Sequence, residues 1–255
     1  MAERASGLTE DAFLGGRLLL KQKRSGHRAG HDAILLAAAT AASRGDRVVD
    51  LGAGIGAAGL ALAKRVAGIE LMLVEIDPEL AALARANAAA NAIAAEVVVL
   101  DVTADAQAFA AAGLSPDSVD AVLMNPPFND PARHRGSPDQ ARQCAHVATE
   151  ETLQAWVHTA RRILKSGGAL TLIWRADGLG DVLAALSRGF GGLSILPVHG
   201  EAEKPAIRVL VRAVKGGRAP SRLLQGLVLN EGSNVPKKEV QDILAGRAVL
   251  PLAEP

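Results

Sequence analysis

Short apolar runs alternate along this chain with longer segments in which apolar residues recur at helical spacing. The runs rich in Val, Ile and Leu predict buried strands over 47–51, 69–75, 96–100, 119–124 and 169–174. The segments between and after them predict helices over 57–66, 78–90, 105–112, 150–164 and 179–188. Strands that alternate with helices in this way predict a doubly wound α/β fold, in which a parallel sheet carries helices on both faces.

The pattern changes towards the end of the chain. Strands are predicted near 193–198 and over 206–214 with only a turn between them. Since a short turn can join only antiparallel neighbours, the mostly parallel sheet is expected to carry an antiparallel hairpin at one edge. The remaining predicted elements are a hairpin or turn over 13–24, a helix over 32–43, a loop over 126–148, a strand over 222–229 and a helix over 236–246.

A length of 255 residues fits one α/β domain with extensions. We predict an N-terminal extension over 1–45 that covers the ligand site, a core over 46–214, and a C-terminal extension over 215–255 that packs on the core. Residues 1–11 carry no periodic apolar pattern and are predicted to be mobile.

Composition favours a cytoplasmic protein without metal. The single cysteine, Cys144, excludes an internal disulfide framework, and no Cys/His cluster has zinc-binding spacing. Glu3, Glu10 and Asp11 lie where a signal peptide would be apolar, and the longest apolar stretch, 33–42, is too short to cross a membrane. With 2% aromatic residues and no tyrosine, an RNA-recognition sheet of stacked aromatics is excluded.

Charge is distributed unevenly although the net charge is only +1. Residues 12–31 and 204–230 contain no acidic residue, and such segments predict a local patch for an anionic partner. An ordinary solvated face is the alternative. The cations of the first segment are Arg17, Lys21, Lys23, Arg24 and Arg28, and those of the second are Lys204, Arg208, Arg212, Lys215, Arg218 and Arg222.

The first core strand ends in a glycine-rich loop, Asp50-Leu51-Gly52-Ala53-Gly54-Ile55-Gly56. Glycines at this place allow a backbone to approach a nucleoside cofactor. Gly54, Gly56 and Gly59 also match the dinucleotide-binding fingerprint. However, Asp50 at the entrance would repel a pyrophosphate, whereas it suits the ammonium and sulfonium charges of S-adenosylmethionine (SAM). The loop therefore favours SAM.

Carboxylates follow the next two strands at the same edge. Glu75 is placed to accept hydrogen bonds from ribose hydroxyls, and Asp101 from the adenine amino group, although Asp101 could equally belong to a surface turn. Asp77 is interpreted mainly as the cap of the helix that starts at Pro78. The predicted cofactor site comprises Asp50, Gly52, Ala53, Gly54, Gly56, Glu75, Ile76, Asp101, Val102 and Asn125.

The fourth strand runs into Asn125-Pro126-Pro127-Phe128, which are the predicted catalytic residues. The Asn125 side-chain oxygen and the Pro126 carbonyl can each accept one hydrogen of a planar NH2 group, and the prolines bring no competing N–H donor. Phe128 can stack on the ring that carries this group. Beyond it, Arg133 and Arg135 are candidates for phosphate contacts, with solvated arginines as the alternative.

With these motifs, the chain resembles class I SAM-dependent N-methyltransferases, and among them the bacterial tRNA1(Val) adenine-N6 methyltransferase family. Residues 26–36, Gly-His-Arg-Ala-Gly-His-Asp-Ala-Ile-Leu-Leu, are similar to the segment that covers the cofactor there. The family motif usually ends in tyrosine, whereas this chain has Phe128. The resemblance implies a Rossmann-like fold, SAM bound by Asp50, Gly52, Gly54, Glu75 and Asp101, and a target amine held by 125–128.

The expected reaction is methylation of adenine N6 in a tRNA, with the nucleic acid held by Lys23, Arg24, Arg28, Arg133 and Arg135. A homodimer is plausible. Three other classes remain open: methylation of a protein glutamine amide or of a small molecule, including O-methylation; an NAD-linked oxidoreductase; and a non-catalytic binding module. The second has no use for the Asn-Pro-Pro motif.

Overall fold

The computed structural model describes residues 7–24, 28–127, 138–231 and 235–254, with the backbone alone over 138–150. Its strands are β1 (Leu8–Phe13), β2 (Leu18–Lys23), β3 (Arg47–Leu51), β4 (Glu70–Glu75), β5 (Ala95–Val99), β6 (Val119–Met124), β7 (Leu164–Arg175), β8 (Phe190–Glu201), β9 (Ala206–Lys215), β10 (Arg222–Leu223) and β11 (Leu227–Asn230). Its helices are α1 (His31–Ala39), α2 (Ala57–Arg65), α3 (Pro78–Ala90), α4 (Ala106–Ala111), α5 (Pro138–Ile163), α6 (Leu179–Leu186) and α7 (Lys238–Leu244).

The predicted doubly wound sheet is confirmed. The core strands lie in the order β5-β4-β3-β6-β7-β9-β8, and only β9 runs antiparallel to its neighbours. Alternation along β4 shows how the two faces are filled: Leu71 and Leu73 pack with α1, α2, α3 and α7, whereas Met72 and Val74 pack with α4, α5 and α6. Because both faces are buried, the strands are continuous apolar runs rather than alternating ones.

The N-terminal segment is more ordered than predicted. Residues 8–13 form β1, which pairs antiparallel with β2, so the expectation of a mobile segment over 1–11 is wrong for this part. The α3 side chains of Asn87 and Asn91 dock the hairpin, since each amide bonds both the N–H and the C=O of one β2 residue, Lys21 and Leu19 respectively, over 2.6–3.1 Å. The side-chain amides of Asn87 and Asn91 thus form the hydrogen bonds that a neighbouring strand would otherwise form with β2.

Two other predicted elements differ from the structure. The loop expected over 126–148 is wrong from residue 138 onward, because α5 begins at Pro138. Proline is favoured in the first turn of a helix, where its missing N–H has no intrahelical partner. The single strand expected over 222–229 is instead two short strands, β10 and β11, which both pair parallel with β8.

The described parts of the two extensions contact each other. The Leu250 N–H donates to the Ala38 carbonyl at the end of α1 over 2.9 Å. The Arg17 Nη2 donates to the Ala245 and Gly246 carbonyls after α7, over 2.7 and 2.9 Å. The division into three regions stays a prediction. No helix in the described ranges is long and apolar enough to span a membrane.

Candidate active site

Three neighbouring strands bring the predicted motifs together at the carboxyl edge of the sheet. In register, Leu51 of β3 lies opposite Val74 of β4 and Met124 of β6. The residues that follow, Gly52, Glu75 and Asn125, therefore leave the sheet side by side. Since strands lie about 4.7–4.9 Å apart, the glycine loop separates Glu75 from Asn125 by about two strand spacings. This is the switch point at which open α/β sheets bind ligands.

The glycine loop has the backbone conformation that its sequence predicts. Gly52 and Gly54 have φ of +71° and +57°, in the left-handed region that favours glycine. The Gly52 and Ala53 N–H groups donate to the Val74 carbonyl over 2.8 and 2.9 Å, and the Gly54 N–H donates to Glu75 Oε2 over 2.7 Å. A Cβ built at Gly54 would meet nothing within 4 Å, so a ligand can reach the loop there.

The ring of Trp156, in α5, packs against the glycine loop at Gly52. A Cβ at Gly52 would clash with the Trp156 ring, for example at 2.7 Å from Cζ3. Trp156 is 8% exposed. One turn further along α5, Thr159 Oγ1 donates to the Val102 carbonyl over 2.8 Å. Sequence reasoning missed both residues, because only the folded helix brings them under the loops after β3 and β5.

We expect Gly52→Ala to destabilise the protein by about 2–4 kcal/mol, since it adds both left-handed strain and overpacking against Trp156. Gly54→Ala is the matched control, because its φ is also positive but its Cβ meets no atom within 4 Å. That variant should lose about 1–2 kcal/mol, the backbone strain alone. Urea unfolding measures both. Equal losses would show that the Trp156 contact does not restrict residue 52.

Asp50 is buried at the entrance to the loop, with 2% exposure. Its Oδ2 accepts a hydrogen bond from the Gly59 N–H in α2 over 2.8 Å. Burial raises the pKa of this carboxyl to about 7, the Gly59 N–H opposes the rise, and the negative charge of Glu75 adds to it. In the described part of the chain no cation pairs with Asp50. In the structure Asp50 therefore stabilises the turn from β3 to α2, and its contact with a cofactor stays a prediction.

The other carboxylates also hold backbone. Glu75 is 6% exposed, and its Oε1 accepts from the Asp77 N–H over 2.9 Å. Asp77 Oδ1 accepts from the N–H groups of Glu79 and Leu80, which confirms it as the cap of α3. Asp101 Oδ1 accepts from the N–H and hydroxyl of Thr103, each over 2.8 Å, as expected for the turn interpretation. Asp101 Oδ2 accepts no hydrogen bond from the described residues, so this oxygen is available to a ligand.

Apolar surface completes the site. Ile76, directly after Glu75, is 59% exposed, and Val99 on the adjacent strand is 44% exposed. Apolar side chains at this edge of the sheet offer a surface on which a flat ligand can pack. Val102, by contrast, is 4% exposed and belongs to the core. A nucleoside base therefore fits beside Ile76, between Glu75 and Asp101.

The target motif leaves β6 with its polar group available. Asn125 is partly buried, Pro126 is buried and Pro127 is exposed. The Asn125 amide has no hydrogen-bond partner within the ranges that the structure describes, so both its oxygen and the Pro126 carbonyl can serve a substrate. Phe128, Arg133 and Arg135 lie outside the described residues. Among those described, no cluster of His, Cys, Asp or Glu could hold a metal ion.

The fold neutralises two of the five cations in the first basic segment. Lys23 Nζ pairs with Glu79 over 2.6 Å. The Arg28 guanidinium pairs with Asp11 over 2.6 Å and also donates to Thr9 Oγ1 and the Lys23 carbonyl, so it ties the hairpin together. Arg24 is exposed and forms no ion pair with the described residues. Arg28 thus has a structural role in the hairpin, and its expected use to hold substrate stays a prediction.

The second basic segment is compensated in the same way. Arg208 pairs with Asp32 over 2.9 Å, which fastens the start of α1 to β9 at the carboxyl edge. Acids from elsewhere in the chain also pair with Lys204 and Lys215. The inference that an acid-free segment means an uncompensated patch is therefore wrong for three of its six cations, because Glu201, Asp32 and Asp117, which lie outside the segment, pair with them.

Comparison with known proteins identifies the family. Residues 29–197 match the model of the methyltransferase small domain. The chain is 31% identical over 181 residues to the tRNA1(Val) (adenine(37)-N6)-methyltransferase of Porphyromonas gingivalis, covering 68% of each protein. It is 28% identical over 208 residues to the protein of that name from Erwinia tasmaniensis, covering 80% of this chain and 82% of the relative.

Solved structures agree on the fold. A predicted O-methyltransferase from Agrobacterium tumefaciens is 37% identical with a TM-score of 0.71, covering 86% of this chain and 98% of that one. The Thermus thermophilus 16S rRNA N2 G1207 methyltransferase, in complex with AdoMet and guanosine, is 24% identical with a TM-score of 0.55, covering 82% and 50%. The predicted class I fold and the predicted cofactor are thus confirmed. The chain belongs to the methyltransferase small domain family and is a SAM-dependent methyltransferase.

Proposed function

We propose that this methyltransferase acts on the N6 amino group of adenine in a tRNA. The observation that carries the proposal is Asn125, which leaves β6 next to the glycine loop with its side-chain amide unbonded in the described structure. An acceptor pair that fits an NH2 group is what methylation of an exocyclic nitrogen needs. The names of the Porphyromonas and Erwinia relatives support adenine in tRNA as the substrate.

In this mechanism the protein positions the amine and needs no strong base. When bound, SAM supplies an electrophilic methyl group. The Asn125 Oδ1 and the Pro126 carbonyl accept hydrogen bonds from the two N–H groups of the adenine amine, which draws the nitrogen out of conjugation and directs its lone pair. Once methylated, the nitrogen is acidic and releases its extra proton to water. Holding two reactants in line can contribute about 7–11 kcal/mol of the barrier reduction. Phe128 is proposed to stack on the adenine ring.

The cofactor contacts are assigned from the same geometry. We assign the ribose hydroxyls to Glu75 and the adenine amino group to Asp101 Oδ2, with Ile76 against the base. The backbone from Gly52 to Gly56, including Ala53, faces the rest of the cofactor. Asp50 contributes a negative charge beneath the loop, where SAM carries its positive charges. We place Asn125 between the cofactor and the target amine. Val102 is buried and would support the adenine end of the cofactor site from the core.

The experiment uses the purified protein, radiolabelled SAM and bulk tRNA from a strain that lacks the gene. After digestion, chromatography should place the label in N6-methyladenosine. Absence of label in RNA while SAM binding is intact would overturn the proposal. Proteins from the same strain form a parallel acceptor pool, so that methylation of a glutamine amide is recognised directly.

O-methylation is the second candidate, because the Agrobacterium protein of 37% identity is a predicted O-methyltransferase. The same chromatogram separates the two reactions. Label in a 2′-O-methyl nucleoside, or only in a small molecule, would favour that alternative and would contradict transfer to N6. We also propose a cytoplasmic location, where tRNA and reduced cysteine occur together, and a homodimer. This assay tests neither of them.

For the nucleic-acid side we propose Arg24, which directly follows β2, and Lys21 of β2 as the cations that meet RNA phosphates. Arg24→Glu is expected to weaken tRNA binding several-fold and to lower the slope of log K against log salt by about 0.7–0.9, the value for one lost phosphate contact. Arg44→Glu is the control, because Arg44 is also exposed but precedes β3 at the opposite edge. Filter binding over a salt series measures both; equal effects would remove Arg24 from the interface.

A further inference from the structure

Four polar residues form a row across the sheet, away from the active site. In register, Thr171 of β7 lies opposite Arg212 of β9, Arg212 opposite Ser194 of β8, and Ser194 beside Arg222 of β10. Residues in register on adjacent strands point to the same face, with Cβ atoms of antiparallel partners about 4.5–5.5 Å apart. The four side chains, called here the Arg212 row, therefore lie next to one another on the face that also carries α1.

The row runs from the core to the surface. Thr171 and Ser194 are 0% and 1% exposed, Arg212 is partly buried, and Arg222 lies exposed at the sheet edge. Arg222 Nη2 donates to Ser194 Oγ over 3.1 Å. Thr171 Oγ1 and Arg212 Nε are both buried without a hydrogen-bond partner. Buried polar atoms are nearly always bonded, so two orphans on directly opposed residues require a cause.

The positive charges of Arg212 and Arg222 are a second unusual feature of the row. Burial lowers the pKa of Arg212, and the nearby positive charge of Arg222 lowers it further. Neither arginine forms an ion pair within the described residues. By contrast, Arg208 and Lys215 on the same strand are paired with Asp32 and Asp117. The fold thus compensates the neighbouring cations of β9 but leaves Arg212 and Arg222, on either side of Ser194, without a compensating acid in the described structure.

We propose that the Arg212 row is a binding site for a phosphate group. Guanidinium groups donate in planar pairs that match phosphate oxygens, and hydroxyls of Thr171 and Ser194 add neutral donors. A bound oxyanion would satisfy Arg212 Nε and Thr171 Oγ1 together and remove the repulsion between the arginines. The phosphate could be inorganic or part of an RNA backbone. This inference is independent of the proposed reaction, since it concerns residues outside the active site.

The first test measures the melting temperature with inorganic phosphate against chloride at equal ionic strength. Phosphate at about four to five times its Kd should raise the Tm of the wild-type protein by about 2–4 °C. Arg212→Gln should abolish this rise. Arg218→Gln should retain it, because Arg218 is an exposed arginine between β9 and β10 that does not belong to the row. A rise of the same size in all three proteins, or no rise in the wild type, would overturn the site.

A second variant keeps the proposal testable if the Arg212→Gln protein does not fold. Thr171→Val keeps the side-chain shape and removes the orphaned hydroxyl, so it should raise the Tm without phosphate and reduce the phosphate response. An unchanged response would contradict a role for Thr171 in the site.

Binding of tRNA over a salt series then identifies the source of the phosphate. A slope lowered by about 0.7–0.9 in Arg212→Gln indicates an RNA phosphate, and an unchanged slope indicates a free anion. Loss of the phosphate response with methyl transfer intact would separate this site from the proposed function.

Discussion

Replacing Asn125 by alanine is expected to lower kcat for tRNA methylation by about 10²–10³-fold, the range found for removal of one preorganised polar group at a reacting centre. The reason is that Asn125 offers the side-chain oxygen that accepts one N–H of the target amine. The affinity for SAM should fall far less, because the glycine loop and Glu75 remain. Single-turnover rates with labelled SAM, together with calorimetric SAM binding, measure both quantities.

Asn125→Asp is the matched variant, since it retains an acceptor oxygen at the same position. We expect it to keep more turnover than Asn125→Ala. If the alanine variant turned over at the wild-type rate, the amine would not be held by Asn125 and the mechanism would be wrong. If SAM affinity fell as much as the rate, Asn125 would serve the cofactor rather than the target.

Replacing Asp50 by asparagine is expected to stabilise the protein and weaken SAM binding at the same time. The pKa of Asp50 is about 7 in the folded protein against a reference value of 3.8. Between these values the native state binds more protons than the unfolded state, so stability falls as pH rises from about 4 to about 7. The loss is at most about 4 kcal/mol, because each pKa unit corresponds to about 1.4 kcal/mol. Asp50→Asn should remove this loss, and urea unfolding at pH 5, 6, 7 and 8 measures it.

The same carboxylate should make SAM affinity depend on pH. Cations stabilise the ionised form of a buried carboxyl, so a bound cofactor with positive charge lowers the pKa of Asp50 and releases a proton. Wild-type affinity is therefore expected to rise with pH between about 6 and 8, and that of Asp50→Asn to be lower at pH 8 and insensitive to pH. Calorimetry in buffers of different ionisation enthalpy detects the proton. Equal affinities at pH 8 would restrict Asp50 to its bond with Gly59.

The active-site loops were predictable because their chemistry is local. Gly52 and Gly54 occupy left-handed positions, and Asn125 and Pro126 follow a buried strand directly, so spacing along the sequence is enough to place them. The mostly parallel sheet with its antiparallel hairpin was likewise predictable, since strands alternate with helices until the final hairpin. Pro138 was misread as part of a loop because proline marks both loops and the first turn of a helix.

Contacts between distant segments could not be read from the sequence. The pairing of Arg28 with Asp11, and of Arg208 with Asp32, turned two basic segments into internal connections. Asn87 and Asn91 gave no sign that they would bond to a strand seventy residues away, since asparagines in a helix are usually solvated. Trp156 appeared as one apolar position of a helix until the fold placed its ring beneath Gly52.

The contact between α1 and the C-terminal region also constrains biosynthesis. Part of the apolar surface of α1 is covered by residues 240–252, and Leu250 bonds to the end of this helix. During translation, domains tend to acquire structure from the N-terminus onward. Here α1 cannot complete its packing until residue 250 has been synthesised. A nascent chain would therefore contain the glycine loop and the Asn-Pro-Pro loop before α1 is fully covered.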